Sequence, residues 1–219
     1  MNLKLYAHPF SSYSQKVLIA LYENGTDFSY RMLSPEHPDN AVELAAIWPL
    51  QKFPVLVDGN HTLPESSIII EYLDLHYPVA SRLIPTDSEQ ALDVRFMDRF
   101  FDNYVMAPMQ TIVGDHLRPR DRRDPHGVEH SRKLLDGAYA WLEGRMSDRN
   151  WASGDSFTLA DCAAAPSLFY ADWVNPLGKR FPAVSAYRRQ LLARTSVARV
   201  VDEARPYRHL FPPGAPDRD

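Results

Sequence analysis

The chain has 219 residues, of which 45% are hydrophobic and 24% charged, and these proportions are those of a globular protein rather than a disordered or fibrous one. Its formal net charge of -4 argues against a general nucleic-acid-binding or membrane-surface protein. The single cysteine, Cys162, excludes an internal disulfide, a cysteine-cluster metal site and a Cys-x-x-Cys redox pair. No apolar run approaches the ~18 residues of a membrane span, and the chain does not open on a signal sequence. We therefore expect a cytoplasmic protein that binds no metal, nucleic acid or membrane.

The first third of the chain alternates short apolar runs with helical apolar patterns. These patterns predict strands at residues 3–7, 28–33, 55–57 and 61–63 and helices at residues 14–23, 41–46 and 67–76. The expected inward face of the last helix consists of Ile68, Ile69, Tyr72 and Leu73. The order βαβαββα predicts a small mixed sheet with helices packed on it.

The rest of the chain carries helical patterns only. The predicted helices span residues 89–117, 126–146, 159–173, 183–194 and 196–204, and Leu92, Phe96, Phe100 and Tyr104 recur at helical spacing along the first of them. We therefore predict an α/β domain over residues 1–79, a linker over 80–88 and an all-α helical bundle over 89–219. The proline-rich tail at 212–216 is expected to be frayed.

The loop after the first strand offers several hydroxyl groups next to a helix start. Ser12 and Gln15 fit a capping box, and the free N–H groups of a helix start favour an anion there. Ser11 and Ser14 have the spacing of a Cys-x-x-Cys pair in a thioredoxin-like unit. A hydroxyl cannot exchange disulfides, but it can donate a hydrogen bond to a thiolate that a substrate brings. The alternative is that these serines only cap the helix.

Two further segments have features of a binding site for a peptide. Pro54 cannot donate to a sheet ladder, so it lies before the third strand. If its peptide bond is cis, the N–H and C=O of Phe53 are free to pair with an extended peptide, whereas a trans bond makes an ordinary turn. Glu65 and Ser66 precede an apolar helix, where they can hold the ammonium and carboxylate of an amino acid or simply cap the helix.

In order and spacing, these segments resemble the glutathione-binding domain of the cytosolic glutathione S-transferases. The most specific pieces are residues 52–56 (KFPVL) and 65–73 (ESSIIIEYL). Residues 157–161 (FTLAD) resemble the capping box of the central bundle helix in that family, in which Thr158 and Asp161 would cap each other. The resemblance covers the whole chain and implies a thioredoxin-like domain followed by an all-α helical bundle.

The resemblance also implies roles for individual residues in binding glutathione. Pro54 would be cis, and the backbone of Phe53 would pair with the cysteinyl part of the tripeptide. The residues implied to contact glutathione are Asn40, Lys52, Phe53, Pro54, Glu65 and Ser66, with Glu65 and Ser66 at the γ-glutamyl end and Lys52 and Asn40 near carboxylates. No metal is implied, and glutathione is the co-substrate.

Ser11 matches the catalytic position of the serine-type classes (theta, zeta and tau), with Ser12 and Ser14 as the neighbouring hydroxyls that could replace it. The segment 11–14 most resembles the Ser-Ser-Cys motif of the zeta class, but Tyr13 replaces the cysteine and Glu65 replaces the usual glutamine. Both departures count against a zeta-type isomerase. Because the loop holds no cysteine, mixed-disulfide chemistry of the omega and beta type is excluded.

The function that these features imply is a homodimeric, detoxifying glutathione transferase that adds the glutathione thiolate to a small apolar electrophile. The expected wall of the electrophile pocket consists of Phe10, Tyr13, Phe100, Phe101, Tyr104 and Met106. Two alternatives stay open. One is a glutathione-dependent isomerase of the zeta, or maleylacetoacetate, type, and the other is a non-catalytic protein that binds glutathione or another ligand.

Overall fold

Four strands form the sheet in the N-terminal part of the computed structural model, which describes residues 3–79 and 81–219. The strands are β1 Leu3–Ala7, β2 Ser29–Met32, β3 Val55–Asp58 and β4 His61–Pro64. Their spatial order is β2-β1-β3-β4, with β1 parallel to β2 and the other two pairs antiparallel. Residues 1–2 of the predicted α/β domain and Ala80 of the predicted linker lie outside the described residues.

Three helices accompany this sheet and complete the predicted order βαβαββα. They are α1 Ser12–Asn24, α2 Pro38–Ile47 and α3 Ser66–His76. α1 ends at Gly25, whose φ of 62° is the left-handed conformation that glycine adopts without a side-chain clash. On α3 the expectation for Ile68 was wrong, because that side chain is 53% exposed and Ile70 is buried instead.

The first long helix of the C-terminal part is a rod with a π-helical turn in its middle. It comprises α4 Ser88–Phe100, the π turn Phe101–Met106 and α5 Ala107–His116. The N–H of Ala107 donates to the carbonyl of Asp102, five residues back. Pro108 follows directly and has no N–H to continue the regular ladder, which accounts for a wider turn at this place. The rod therefore spans the helix predicted over 89–117, with altered hydrogen bonding in its centre.

Three of the four members of the apolar stripe of this rod do not face the core. Of its members only Phe100 is buried, whereas Leu92, Phe96 and Tyr104 are 61%, 46% and 55% exposed. Trp141 packs on Phe100 with ring centroids 4.5 Å apart and is itself 42% exposed. We call these five side chains the apolar patch.

α7 Leu159–Val174 runs through the middle of the bundle, and other helices surround it. These are α6 Pro125–Arg145, α8 Pro182–Ala193, α9 Thr195–Ala204 and the 3-10 helix Arg205–Leu210. The predicted reciprocal cap of α7 is confirmed: the backbone N–H of Thr158 donates to Asp161 Oδ2 at 2.9 Å. Because α1 packs directly against α7, one apolar core extends through both parts of the chain. None of the helices in the described ranges has the length and apolarity that a membrane crossing requires.

The C-terminal tail is tied down rather than frayed. Arg218 pairs with Asp172 on α7, and Asp219 pairs with Arg205 and Arg208. Phe211 is buried against Trp173, with ring centroids 5.0 Å apart. The tail therefore returns to the side of the molecule where the loop after β1 lies.

Candidate active site

Two depressions meet at Ser11 and Gln110. The first, about 610 Å³ in volume and here called the polar cleft, lies between the loop segments around α1 and α3 and the helical rod. The polar cleft is lined by Ser11, Tyr13, Trp48, Gln51, Lys52, Phe53, Pro54, Pro64, Glu65, Ser66, Arg99, Asp102, Asn103 and Gln110. The second, about 220 Å³ in volume and here called the apolar pocket, continues from it on the other side of Ser11. It is lined by Phe10, Ser11, Ser12, Met109, Gln110, Val113, Tyr170, Leu210, Phe211 and Pro212.

Ser11, rather than Ser12, is the N-cap of α1. Its φ and ψ are −85° and 125°, and its Oγ accepts from the backbone N–H of Ser14 at 3.4 Å. The predicted capping box of Ser12 and Gln15 was wrong, because the buried Gln15 amide donates to the carbonyl of Pro9 instead. As a cap Ser11 accepts one hydrogen bond, so its own hydroxyl proton is available to a ligand.

The two neighbouring serines are less open to a ligand in the polar cleft. Ser14 is fully buried, and its Oγ accepts from the backbone N–H of His8 at 3.3 Å. Ser12 is 7% exposed and faces only the apolar pocket. Of the three serines in this loop, Ser11 is the one that lines both depressions.

Buried hydrogen bonds fix the loop that carries Ser11. The backbone N–H of Phe10 donates to His8 Nδ1 at 3.1 Å, and the Tyr170 hydroxyl donates to the carbonyl of Phe10 at 3.0 Å. The Gln15 amide also donates to the Tyr170 hydroxyl, at 3.0 Å. Burial lowers the pKa of His8 below its usual 6.5, although the negative charge of Glu36 opposes this shift. The ring is therefore neutral at pH 7, and Nδ1 can accept a hydrogen bond. The position of Ser11 is therefore set from both β1 and α7.

The segment before β3 leaves backbone groups free at the edge of the polar cleft. The peptide bond between Phe53 and Pro54 is cis, as the resemblance implies. Within the described ranges, neither the N–H nor the C=O of Phe53 makes a hydrogen bond. Lys52 is exposed beside it and forms no ion pair with another described residue. This edge thus offers one donor, one acceptor and one cation to a ligand.

Glu65 and Ser66 lie opposite, at the start of α3. Glu65 has a φ of 72°, and a non-glycine residue held in this region costs roughly 1–3 kcal/mol, which is typical of functional sites. Its side chain is exposed in the polar cleft and pairs with no other side chain that the structure describes. Ser66 is buried at the first turn of α3, where unpaired helix N–H groups favour a carboxylate.

A buried cluster of charges supports this part of the cleft, and the sequence did not predict it. Lys16 Nζ lies 2.5 Å from Asp98 Oδ1, 2.8 Å from Asp102 Oδ2 and 2.9 Å from Ser67 Oγ. Arg99 closes the cluster from the solvent side by pairing with both aspartates. Burial raises the pKa of Asp102, and the charge of Lys16 opposes that rise. The signal in the sequence is a lysine inside the apolar pattern of α1 together with two aspartates four residues apart on the rod.

The structure does not bring Asn40 to the cleft. Its side-chain Nδ2 donates to the carbonyl of Met32 at 2.8 Å, and it lines a separate depression formed by residues of β2, α2 and the segment between them. Trp48 and Gln51, which follow α2 in the chain, line the polar cleft instead. The expectation that Asn40 lies beside a carboxylate of glutathione is corrected, because this hydrogen bond holds the Asn40 amide against β2.

Five of the six residues expected in the electrophile wall lie elsewhere. Phe100, Phe101 and Met106 are core residues with 7% exposure or less, and Tyr104 faces solvent in the apolar patch. Tyr13 lines the polar cleft, where burial raises its pKa to about 12. Phe10 alone lines the apolar pocket as expected. The other walls come from the next turns of the rod, from α7 and from the returning tail, namely Met109, Val113, Tyr170, Leu210, Phe211 and Pro212.

The chain matches known proteins along most of its length. The family models described as "Glutathione S-transferase, N-terminal domain" and "Glutathione S-transferase, C-terminal domain" match residues 5–82 and 125–190. The chain is similar to the stringent starvation protein A homolog of Coxiella burnetii, with 27% identity over 208 residues and 92% of each chain covered. It is similar to glutathione S-transferase GstB of Escherichia coli K12, with 26% identity over 202 residues, 91% of this chain and 97% of that one. A solved glutathione S-transferase from Methylobacterium radiotolerans, in complex with glutathione sulfonate, has 29% identity, a TM-score of 0.79 and coverage of 92% and 95%.

Proposed function

Because the chain belongs to the cytosolic glutathione S-transferase family and its function is of the glutathione-transferase type, we propose that Ser11 stabilises the glutathione thiolate for attack on an electrophile. The free hydroxyl proton of Ser11 at the start of a 13-residue helix is the observation that carries this proposal. Ser11 acts here as a hydrogen-bond donor and not as a nucleophile.

The energy that this hydroxyl must supply is modest. A thiol with a pKa near ~8.5 is mostly protonated at neutral pH, and lowering that value by about two units requires ~2.7 kcal/mol of preference for the thiolate. A hydrogen bond to a charged group contributes roughly 1.5–3 kcal/mol. A helix N-terminus adds about 0.3–1 kcal/mol. The two contributions together are sufficient without a general base.

The bound tripeptide would lie extended along the polar cleft. The free N–H and C=O of Phe53 support backbone pairing with the cysteinyl residue, which directs the sulfur toward Ser11. The exposed carboxylate of Glu65 and the helix start at Ser66 suit the ammonium and carboxylate of the γ-glutamyl end. The unpaired ammonium of Lys52 suits the carboxylate at the glycyl end.

The electrophile would occupy the apolar pocket. Its walls are aromatic and aliphatic side chains, and its volume of about 220 Å³ accommodates a single ring with a short chain, since a dry cavity of ~150 Å³ binds benzene. Small apolar electrophiles are therefore the substrate class of this proposal, and their conjugation is a detoxifying reaction.

The proposal also includes a cytoplasmic homodimer. Within each chain, residues 80–88 would be the linker between the α/β domain and the helical bundle. The apolar patch supports a partner on the helical rod, because its exposed aromatic side chains pack around Phe100 and such clusters mark interaction surfaces. Sedimentation velocity at micromolar concentration should give the mass of two chains. A monomer at all concentrations would contradict this part.

Titration calorimetry with glutathione, followed by conjugation assays, tests the proposed function. We expect the wild-type protein to bind glutathione and Ser11→Ala to retain binding within a few-fold while its conjugation rate falls about 10- to 100-fold, the loss of a ~1.5–3 kcal/mol hydrogen bond to the thiolate. Tyr13→Phe is the matched control, since it removes a hydroxyl that lies two residues from Ser11 in the chain and lines the same cleft.

Each other result contradicts a specific part of the proposal. If Tyr13→Phe lowers the conjugation rate and Ser11→Ala does not, the hydroxyl that stabilises the thiolate is that of Tyr13. No glutathione binding at millimolar concentration would favour a non-catalytic role for this scaffold. Turnover of a maleyl-type substrate without consumption of glutathione would identify an isomerase instead.

A further inference from the structure

The wall that faces Ser11 carries an amide without a partner. Gln110, on α5, lines both the polar cleft and the apolar pocket, a property that it shares only with Ser11 among the residues that line them. Its side chain is exposed to the depression and makes no hydrogen bond to another described residue. The amide therefore lies at the junction between the place of the sulfur and the place of the electrophile, with its N–H donors free.

The other large polar group of the apolar pocket is already used. The Tyr170 hydroxyl donates to the carbonyl of Phe10 and accepts from the Gln15 amide, so it has no proton left for a ligand. Gln110 thus offers a free amide donor at the junction of the pocket with the polar cleft. A free donor at a reacting centre stabilises the charge that develops there.

The reaction moves charge to an oxygen when the electrophile is a conjugated carbonyl compound. The thiolate sulfur forms a C–S bond to the β-carbon, the electron pair of the C=C bond shifts, and the carbonyl oxygen becomes an enolate oxygen. Water then protonates the α-carbon, so no group leaves. In the displacement of a halide from an alkyl halide, the charge departs on the halide and no oxyanion forms.

We propose that Gln110 is a catalytic residue that donates a hydrogen bond to this enolate oxygen when the electrophile is an α,β-unsaturated carbonyl compound. This inference rests on the proposed function and adds a catalytic residue to it. Gln110 and Ser11 both line the junction of the two depressions, so one group would stabilise the charge on sulfur before attack and the other would stabilise it on oxygen afterwards.

Two electrophiles of one ring each test the proposal on the glutathione-loaded protein. The enone is 4-phenyl-3-buten-2-one, and the comparison compound is benzyl chloride, which fits the same pocket without an acceptor oxygen. Gln110→Met keeps the length of the side chain and removes its donors. Gln90→Met, an exposed glutamine at the first turn of α4, is the control outside both depressions.

For Gln110→Met we expect kcat/KM with the enone to fall about 10- to 100-fold, the loss of one hydrogen bond to a charged oxygen. The rate with benzyl chloride should stay within twofold of the wild-type rate. The pKa of the bound thiol should stay within about 0.2 units of its wild-type value, because neither quantity depends on an oxyanion. Gln110→Glu should be slower still with the enone, since a carboxylate repels the developing charge. Gln90→Met should behave as wild type.

An equal loss with both electrophiles, or no loss with the enone, would overturn this inference and leave the proposed function standing. Wild-type protein that conjugates benzyl chloride and not the enone would also overturn it. Wild-type protein that forms neither adduct would overturn the proposed function, and the inference with it.

Discussion

Replacing Lys16 by methionine should destabilise the protein far more than replacing Arg95. Lys16 is about 1% exposed and lies between two buried aspartates on α4 and the π turn, at 2.5 and 2.8 Å. Removing one partner of a buried ion cluster leaves uncompensated charge and costs roughly 3–5 kcal/mol. Arg95 makes a two-pronged ion pair with Glu71, both contacts at 2.9 Å, and also joins α4 to the N-terminal part, but its side chain is 46% exposed. Such a pair contributes about 0–1 kcal/mol.

Urea unfolding followed by tryptophan fluorescence, at one fixed protein concentration, measures both losses. We expect Lys16→Met to lower the free energy of unfolding by roughly 3–5 kcal/mol and Arg95→Met by less than about 1 kcal/mol. The fixed concentration matters because the proposed dimerisation would contribute to the apparent stability. Similar losses for the two variants would refute the reasoning, since the expected difference rests on the burial of Lys16 and of its two aspartates.

Two further predictions concern the half-buried His8 and the buried cap of α7. Because burial lowers the pKa of His8, the unfolded chain binds more protons than the folded one just below about pH 6.5, so stability should fall as the pH drops from about 7.5 to about 5.5. His8→Asn, which keeps an acceptor for the Phe10 N–H, should show a flatter slope of unfolding free energy against pH, and an unchanged slope would contradict this account. Asp161→Ala should cost roughly 3–5 kcal/mol, because the buried carboxylate accepts hydrogen bonds from Ala152, Thr158 and Tyr187 and its removal leaves these donors unpaired. Thr158→Ala keeps Asp161 and should cost about 1 kcal/mol in the same chemical denaturation, and an equal cost for both would contradict the assignment.

Features that depend on neighbouring residues in the chain were predictable from the sequence. The strands follow from short apolar runs between turns, and the end of α1 follows from Asn24-Gly25. The cis bond before Pro54 followed from the resemblance of the whole segment, not from the proline itself.

Features that depend on the packing between elements were not predictable. Ser11 and Ser12 both offer a hydroxyl to the helix start, and the direction in which the chain leaves β1 decides between them. The spacing of Phe100 and Tyr104 shows that they share a helix face, but it does not say whether that face meets the sheet or Trp141. The tail joins the pocket through Phe211, more than a hundred residues from the loop that it touches, and no local pattern indicates such a contact.

The buried charge cluster around Lys16 was not predictable from the sequence for the same reason. Lys16 interrupts the apolar pattern of α1, and an interrupted pattern normally indicates an exposed position. The position is buried because Asp98 and Asp102 arrive from a helix some eighty residues later. Only the tertiary structure reveals that Lys16 and Arg99 together compensate the two aspartates.

The most direct test of the central claim is the pKa of the glutathione sulfur in the bound state, read from the ultraviolet difference absorbance of the thiolate as the pH is raised. In the wild-type protein the value should be lower by about two units than the ~8.5 of a free thiol. In Ser11→Ala it should return most of the way to the free value while glutathione stays bound. A thiol that titrates at the same pH in both proteins would contradict the role of Ser11.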